Sequence, residues 1–279
     1  MTIRDDFAVF ILTHGRAKQQ KTVKTLKRCG YTGRLYLIVD DEDKELDEYI
    51  RLYGSDVITF SKREIEPCFD TMTNKKEYGS AVYARNASYD IAHSLGIRWI
   101  FMCDDDISNL QYRVLKNKEL KSVNIYNIDK LFERMCDIAN AGKVCIFGFS
   151  QAGAFIGGAN KTYLSGHQRK VSQAMLYDAN NPITFRGVFY EDLIVALDAG
   201  TAGRVAMSTM LVSIQSPAMA SNGGGMQDLY QESGTYVRCF YSVMAYPGVA
   251  SIEAKDGEFK LRLRHSAFAP MIINERWRK

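Results

Sequence analysis

The chain has 279 residues, 46% of them hydrophobic, enough to bury a full core as one large domain. Its 36 basic side chains against 32 acids leave a net charge of +4, which permits contact with a polyanion without demanding it. The six cysteines form no CxxC pair, no charged-then-apolar leader opens the chain, and no apolar run approaches membrane-spanning length. These features argue against a disulfide scaffold or a membrane span and lead us to expect a soluble protein of a reducing cytoplasm.

Phe7 to Leu12 is a continuous apolar run, the pattern of a strand buried on both faces. It breaks at Thr13-His14-Gly15-Arg16. A helix follows with Val23 and Leu26 inward, while Arg16, Lys18, Lys21, Lys24, Lys27 and Arg28 crowd the rest. That basic face is either solvated or a polyanion contact. Leu35 to Val39 predicts a second buried strand that ends at Asp40-Asp41. Leu46, Tyr49, Ile50 and Tyr53 have helical spacing, Gly54 stops that helix, and Val57 to Phe60 predicts a third strand. The alternation implies a parallel sheet with right-handed crossovers. After a polar loop around Pro67 to Tyr78, the residues Ala84, Ala87, Ser88, Ile91, Ala92 and Leu95 share one helical face, with Gly96 as the cap. Arg85 and Asn86 fall early in that helix.

Trp99 to Cys103 then forms an apolar strand that delivers Asp104-Asp105-Asp106. Acids at the carboxyl end of such a strand sit at the crevice where α/β sheets bind ligands. Three adjacent carboxylates repel one another unless a cation lies among them. Hard oxygen ligands suit Mg²⁺ or Mn²⁺ shared with a diphosphate. A solvated acidic turn is the alternative. No Gly-x-Gly-x-x-Gly follows the first strand and no P-loop is present, which disfavours a dehydrogenase or a P-loop enzyme.

In the second half, Ile128, Leu131, Phe132, Met135, Ile138 and Ala139 predict an amphipathic helix and Val144 to Phe149 a strand. Gly153, Gly157 and Gly158 either give the backbone room beside a ligand or make a turn. His167, among Lys161, Arg169 and Lys170, carries no specific signal. Glu191-Asp192 opens a helix that runs through Leu193, Ile194 and Leu197 to Gly200; by themselves they could simply complement the helix dipole. Gly223-Gly224-Gly225 suggests a loop that closes over a ligand, or a surface connection. Ser233, Tyr236, Val237, Phe240, Tyr241 and Met244 lie on one helical face and are expected to face the core. Ser251 to Leu263 predicts a hairpin turning at Asp256-Gly257. Its second strand alternates Phe259, Leu261 and Leu263 with Lys260, Arg262 and Arg264. His265 and the tail Arg276-Trp277-Arg278-Lys279 complete the chain.

Ala84-Arg85-Asn86, a short helix, Gly96, an apolar strand and Asp104-Asp105-Asp106 together resemble the nucleotide-sugar half of GT-A glycosyltransferases. The resemblance implies an α/β, Rossmann-like fold, with a mostly parallel central sheet flanked by helices. It implies a single domain over 1–279, with a donor half at 1–110 and an acceptor half at 111–279 that contains the hairpin. By the same likeness, Asp104 lies towards the ribose, Asp106 binds the metal with Asp104, and Asp105 joins Asp104 in binding the nucleotide-sugar. Arg85 and Asn86 would serve the nucleotide end, and Thr13, Gly15, Arg16, Asp40 and Asp41 the base and ribose. Glu191-Asp192 resembles the acceptor-side acidic pair of inverting members, with Asp192 as general base and Glu191 in reserve. His265 matches by position a third metal ligand.

The longer run of Phe10 to Arg16, Phe60-Ser61-Lys62, Ala84 to Asn86 and the triple aspartate is similar to the TET-associated glycosyltransferases of phages. That likeness places Lys62 and Asp70 at the rim of the donor pocket. It implies a UDP-sugar donor, Mn²⁺ or Mg²⁺, and a hydroxymethylated pyrimidine of phage DNA as acceptor, flipped from its stack or reached in a groove. The basic helix, the Lys260/Arg262/Arg264 face and the tail would then hold phosphates, in the host cytoplasm and without a membrane. Two other readings stay open. One is a glycosyltransferase acting on a polysaccharide, lipid-linked sugar or protein. The other is a non-catalytic nucleotide-sugar binding module, or a nucleotidyltransferase, although the latter usually carries a Gly-rich stretch where this chain has only Thr13-His14-Gly15-Arg16.

Overall fold

A computed structural model describes residues 4–74, 79–155, 172–216, 227–255, 257–264, 267 and 270–278. The first half alternates as expected: β1 (Phe7–Leu12), α1 (Lys21–Arg28), β2 (Arg34–Asp40), α2 (Leu46–Tyr53), β3 (Val57–Phe60), a short α3 (Lys62–Ile65), α4 (Val82–Ser94) and β4 (Trp99–Asp104). These strands pair in parallel in the order β3-β2-β1-β4, so their carboxyl ends share one edge. Thr13, Asp40 and Asp104 emerge there side by side, with Leu12 in register with both Ile38 and Asp104.

Beyond β4 come β5 (Asn109–Lys116), β6 (Glu119–Asn124), α5 (Ile128–Gly142), β7 (Val144–Gln151), β8 (Ala174–Asp178), α6 (Glu191–Thr201) and β9 (Val205–Gln215). They extend the sheet to nine strands, continuing β4-β8-β7-β9-β5-β6. β8 is antiparallel to both β4 and β7, while β7 and β9 run parallel. The α/β expectation therefore holds, with a fully parallel first half and a mixed second half. Strands β5, β6, β8 and β9 are not marked by the sequence pattern. The β5–β6 turn, for instance, is Asn117-Lys118 with φ of 52° and 63°. Two-residue hairpins need positive φ at both positions, and a lysine there does not advertise it.

Each of the six residues of β1 is buried, because helices cover both faces of the sheet. Phe7, Val9 and Ile11 point into one layer with Leu37, Phe101, Phe132 and Phe149. Ala8, Phe10 and Leu12 point into the other with Tyr83, Met102, Tyr177 and Leu193. Phe132 of α5 is the hub of the first layer, its ring 5.0 Å from Phe7, 4.7 Å from Phe101 and 6.2 Å from Phe149 between centroids. Five of the six cysteines are buried, all six are free thiols, and none forms a staple.

The C-terminal part departs from expectation in one respect. Helix α7 (Gln227–Ala245) buries Cys239 and Tyr241, but leaves Tyr236, Val237, Phe240 and Met244 exposed. Its phase is set by Tyr241, whose ring stands 5.0 Å from Phe189, and by a kink where Gly234 takes φ 69°. The hairpin β10 (Ala250–Lys255) with β11 (Glu258–Leu263) forms a separate two-stranded sheet against this helix. Among the described residues no helix is long and apolar enough to cross a membrane.

The packing of the first layer predicts that Phe132→Ala destabilises the fold by about 3–5 kcal/mol, the usual cost of a large cavity at a fully buried aromatic. Urea unfolding followed by tryptophan fluorescence measures it, and a loss under about 1 kcal/mol would contradict the hub assignment.

Candidate active site

Four segments meet at the carboxyl edge of the sheet: the loop after β1, the end of β2, the acid turn after β4, and the start of α6. Helix α1 stitches the acid turn in place. Thr22 Oγ1 donates to the Asp104 carbonyl at 2.6 Å and accepts from the Ile107 amide at 2.9 Å, while Thr25 Oγ1 donates to the Ile107 carbonyl at 2.9 Å. These two buried threonines are the inward polar face of a helix whose sequence advertises only Val23, Leu26 and its lysines.

The three aspartates have different fates. Asp105 is buried, and Thr13 Oγ1 donates to its Oδ2 at 2.6 Å while Arg16 Nη1 donates to Oδ1 at 2.9 Å. Thr13 has a single hydroxyl proton and spends it on Asp105, so the Tyr49 hydroxyl 2.7 Å away must be the donor in that pair. Tyr49 in turn accepts the Arg16 amide at 2.9 Å, and Gln20 Nε2 donates to Thr13 at 2.8 Å. Asp105 is thus a structural acid that pins the β1 loop. Asp106 is different: its Oδ1 is buried and makes no hydrogen bond among the described residues. Burial and neighbouring Asp105 push the Asp106 carboxyl above the usual range, against the pull of Arg16 and Lys21.

Asp104 lies partly open in the crevice. Burial pushes its carboxyl up to about 8; Arg85 opposes the rise, and the charges of Asp106, Asp192 and Glu191 add to it. The field at Asp104 therefore joins residues from the acid turn and from α6. Arg85, in the first turn of α4, donates from Nη2 to Asp104 Oδ1 at 3.3 Å and from Nε to Glu191 Oε1 at 2.9 Å. Glu191 is buried in this pair, whereas its neighbour Asp192 is only half-buried. Asn86 faces the other way: its side chain brackets Phe185, donating to the carbonyl and accepting from the amide, both at 3.0 Å.

A second ionic group lies at the end of β2. His14 Nδ1 donates to Asp40 Oδ2 at 2.7 Å and approaches Asp43 Oδ2 at 3.1 Å, while Lys62 Nζ is 3.0 Å from Asp40. Gly15, with φ 62°, turns its amide onto Asp43 Oδ2 at 2.8 Å. The hydrogen bonds to Asp40 and then Asp43 push His14 up to about 9. Burial, the largest single influence, would raise both aspartates. The hydrogen bond from His14, together with Lys62 at Asp40 and the Glu45 and Gly15 amides at Asp43, holds them below the usual range. The ligand atoms of His14, Asp40 and Asp43 fall within 4.8 Å of one another, a spacing that would suit a cation. The ammonium of Lys62 and the retained Nδ1 proton already neutralise the pair, and a protonated nitrogen cannot coordinate. We read the cluster as an ion network.

Thr13, Arg16, Asp104, Asp105 and Asp106 thus converge, with Gly15, Asp40 and Lys62 on the adjacent strand end. Asp41 is exposed at the end of β2. Asp70 is exposed too, its Oδ1 accepting the Met72 amide at 2.8 Å and its carbonyl the Gly187 amide at 2.9 Å. His265 lies outside the described residues, as do Gly157, Gly158, Lys161, His167, Arg169, Lys170, Gly223 to Gly225, Asp256 and Lys279. Sequence reasoning missed Asp43, Tyr49 and Gln20. Tyr49 was visible only as one member of an apolar helical stripe, and Asp43 only as one acid in a charged turn.

His14 yields a pH prediction. Its folded pKa, about 9, exceeds the ordinary 6.5, so its contribution to stability is full below 6.5 and is lost as pH rises through 9. NMR titration of the His14 ring should give a midpoint near 9, and His14→Gln should flatten the stability loss over that window. A midpoint near 6.5 would refute the network.

Comparison with known proteins adds a family. Two crystal structures of S. aureus TarS are similar at low identity. The first, of residues 1–349, has a TM-score of 0.40 at 13% identity, over 73% of this chain and 58% of that one. The second has a TM-score of 0.45 at 10% identity, over 81% of this chain and 38% of that one. The chain thus spans little more than half the length of the first and less of the second, and likeness at this level carries no argument about function. No curated protein matches the chain. The profile of the TET-associated glycosyltransferase family matches residues 7–225, which takes in every segment that meets at the crevice. The chain belongs to the TET-associated glycosyltransferase family.

Proposed function

We propose that this protein is a glycosyltransferase that moves a sugar from a UDP-sugar to the hydroxymethyl group of a modified pyrimidine in DNA. Residues 1–110 would form the donor half and 111–279 the acceptor half. The observation that carries the reading is the meeting of the two acidic groups at one crevice: Asp104 feels the charges of Asp106, Asp192 and Glu191 together. Family membership supports glycosyl transfer as the reaction.

In this reading Asp106 and Asp104 hold Mn²⁺ or Mg²⁺, with His265 as a further candidate ligand. A buried carboxylate oxygen without a hydrogen bond, on Asp106, fits a cation ligand. When bound, the ion neutralises charge on the departing diphosphate. The protein's own groups do the rest. Thr13, Gly15, Arg16, Asp40, Asp41 and Lys62 frame the base and ribose, with Asp70 near the rim and Asn86 bracing the wall. Asp105 fixes the floor. Asp192, the more open acid of its pair, takes the proton from the acceptor hydroxyl as that oxygen attacks the sugar carbon. Glu191, engaged with Arg85, orients the start of α6. Exposed Lys18, just before α1, and the exposed Lys24, Lys27 and Arg28 of α1 would meet DNA phosphates.

The first test is mass spectrometry of nucleosides from hydroxymethylcytosine and hydroxymethyluracil DNA incubated with Mn²⁺ and UDP-sugars, with unmodified DNA alongside. A gain of one sugar confined to the hydroxymethylated base is the expected result. Turnover of donor without modification of any DNA would retain the transferase and reject the acceptor.

Two variants test the roles. Asp192→Asn should lower kcat by about 10²–10⁴-fold with UDP affinity retained, the range for loss of a general base. Asp106→Asn should abolish metal-dependent turnover and weaken Mn²⁺ binding. Deprotonation of Asp104 near pH 8 should also couple to the ion, because a carboxylate must lose its proton to coordinate. Mn²⁺ affinity should rise by up to about tenfold per pH unit below that point, with proton release seen by calorimetry in two buffers. An affinity flat across that range would exclude Asp104 as a ligand.

A further inference from the structure

The buried guanidinium of Arg85 is shared between an acid of the donor side and one of the acceptor side. Its side chain is 2% exposed, so no ligand reaches it from solvent without displacing protein. Nε holds Glu191 at 2.9 Å and Nη2 holds Asp104 at 3.3 Å. Phe185 lies beneath the guanidinium, 5.8 Å from its carbon to the ring centroid. The start of α4, with Ser80 two residues before it, also suspends the segment leading into α6. Asn86 brackets Phe185, and Ser80 Oγ donates to the Val188 carbonyl at 2.7 Å. The carboxyl edge of β4 and the first turn of α6 are thereby referenced to one rigid part, the beginning of α4.

We infer that Arg85 is a positioning residue that sets the spacing between the donor-side acid Asp104 and the general base Asp192. It acts through Glu191, which precedes Asp192 in the chain and moves with it. This rests on the reading of Asp104 and Asp106 as donor residues and Asp192 as base. A planar fork with fixed donor directions can hold two carboxylates at a defined separation; an ammonium on a flexible stem cannot. Misplacing a reacting group by about 1 Å costs on the order of 10²-fold in rate. The role differs from nucleotide binding, which the sequence likeness suggests for this arginine: both of its engaged nitrogens face protein carboxylates.

The test uses Arg85→Lys, which keeps the charge, and Glu191→Gln, which weakens the other arm. Hydrolysis of UDP-glucose, UDP-galactose and UDP-N-acetylglucosamine in Mn²⁺ is followed without acceptor, so that water takes the attacking role. Rates are expressed per UDP-binding site titrated by calorimetry, which removes any effect of misfolded protein. We expect kcat to fall about 10–100-fold in Arg85→Lys while UDP affinity stays within about twofold. Glu191→Gln should repeat the pattern, and it decides the matter alone if the lysine variant does not fold. Combined with Asp192→Asn, either change should add almost nothing, since the group it positions is already gone. Unchanged kcat in both variants would overturn the inference and leave the transferase standing. Loss of UDP affinity in step with kcat would also overturn it, by making Arg85 a donor-binding residue. A wild-type protein that neither binds UDP nor turns over any of the three sugars would remove the underlying reading, and the inference with it.

Discussion

Three consecutive carboxylates at the end of a fully buried strand are held against their mutual repulsion, and the crevice is built around that constraint. In a medium of low effective dielectric, charges this close must be paired, protonated or shared with a cation. The protein uses a different solution for each. Asp105 is paired and hydrogen-bonded on both oxygens by Arg16 and Thr13. Asp104 leans on Arg85 and keeps a proton to about pH 8. Asp106 keeps a buried oxygen without a hydrogen bond among the described residues, the feature that suits it to a cation.

Each solution ties the acid turn to another element, and those ties give the crevice its shape. Asp105 draws in the loop after β1, which Tyr49 then fastens to α2. Asp104 draws in α4 through Arg85, and Glu191 brings α6 to the same guanidinium. The ion network of His14, Asp40, Asp43 and Lys62 repeats the logic one strand away, with two cationic side chains set against two buried acids. A change to any of these groups leaves an opposite charge buried without compensation, which is far costlier than loss of a surface pair. A charge-conserving exchange at such a site leaves that compensation in place and alters only the geometry.

Strands β1 and β4 and the second half of β2 were legible because their residues are buried on both faces and so read as unbroken apolar runs. β3 was legible from its β-branched and aromatic residues, although it is only partly buried. The acid turn was legible because the switch from Cys103 to Asp104 is abrupt. The mixed second half was harder to read. β8 and β9 are recruited by pairing with β4 and β7 rather than by a pattern of their own, and β6 is an edge strand whose side chains are mostly exposed. Tyr236, Val237, Phe240 and Met244 of α7 show the converse. Their spacing with Tyr241 predicts a buried face, but of that set only Tyr241 is buried, docked on Phe189, and these four are exposed.

What the sequence by itself determined was the order of elements and the chemistry available at their ends: strand, turn, acid, in positions that local periodicity and polarity specify. Which acid is paired on both oxygens, which leans on Arg85 and which keeps one buried oxygen without a hydrogen bond was decided only by tertiary structure. Asp104, Asp105 and Asp106 are identical side chains in adjacent positions, and nothing local distinguishes them. Their partners come from Thr13, Arg16, Arg85 and the start of α6, of which Thr13, Arg16 and Arg85 lie between 19 and 92 residues away along the chain from the acids they bond. Charge interactions depend on distance in space and on burial, and both are set when the strands align and the helices close over them.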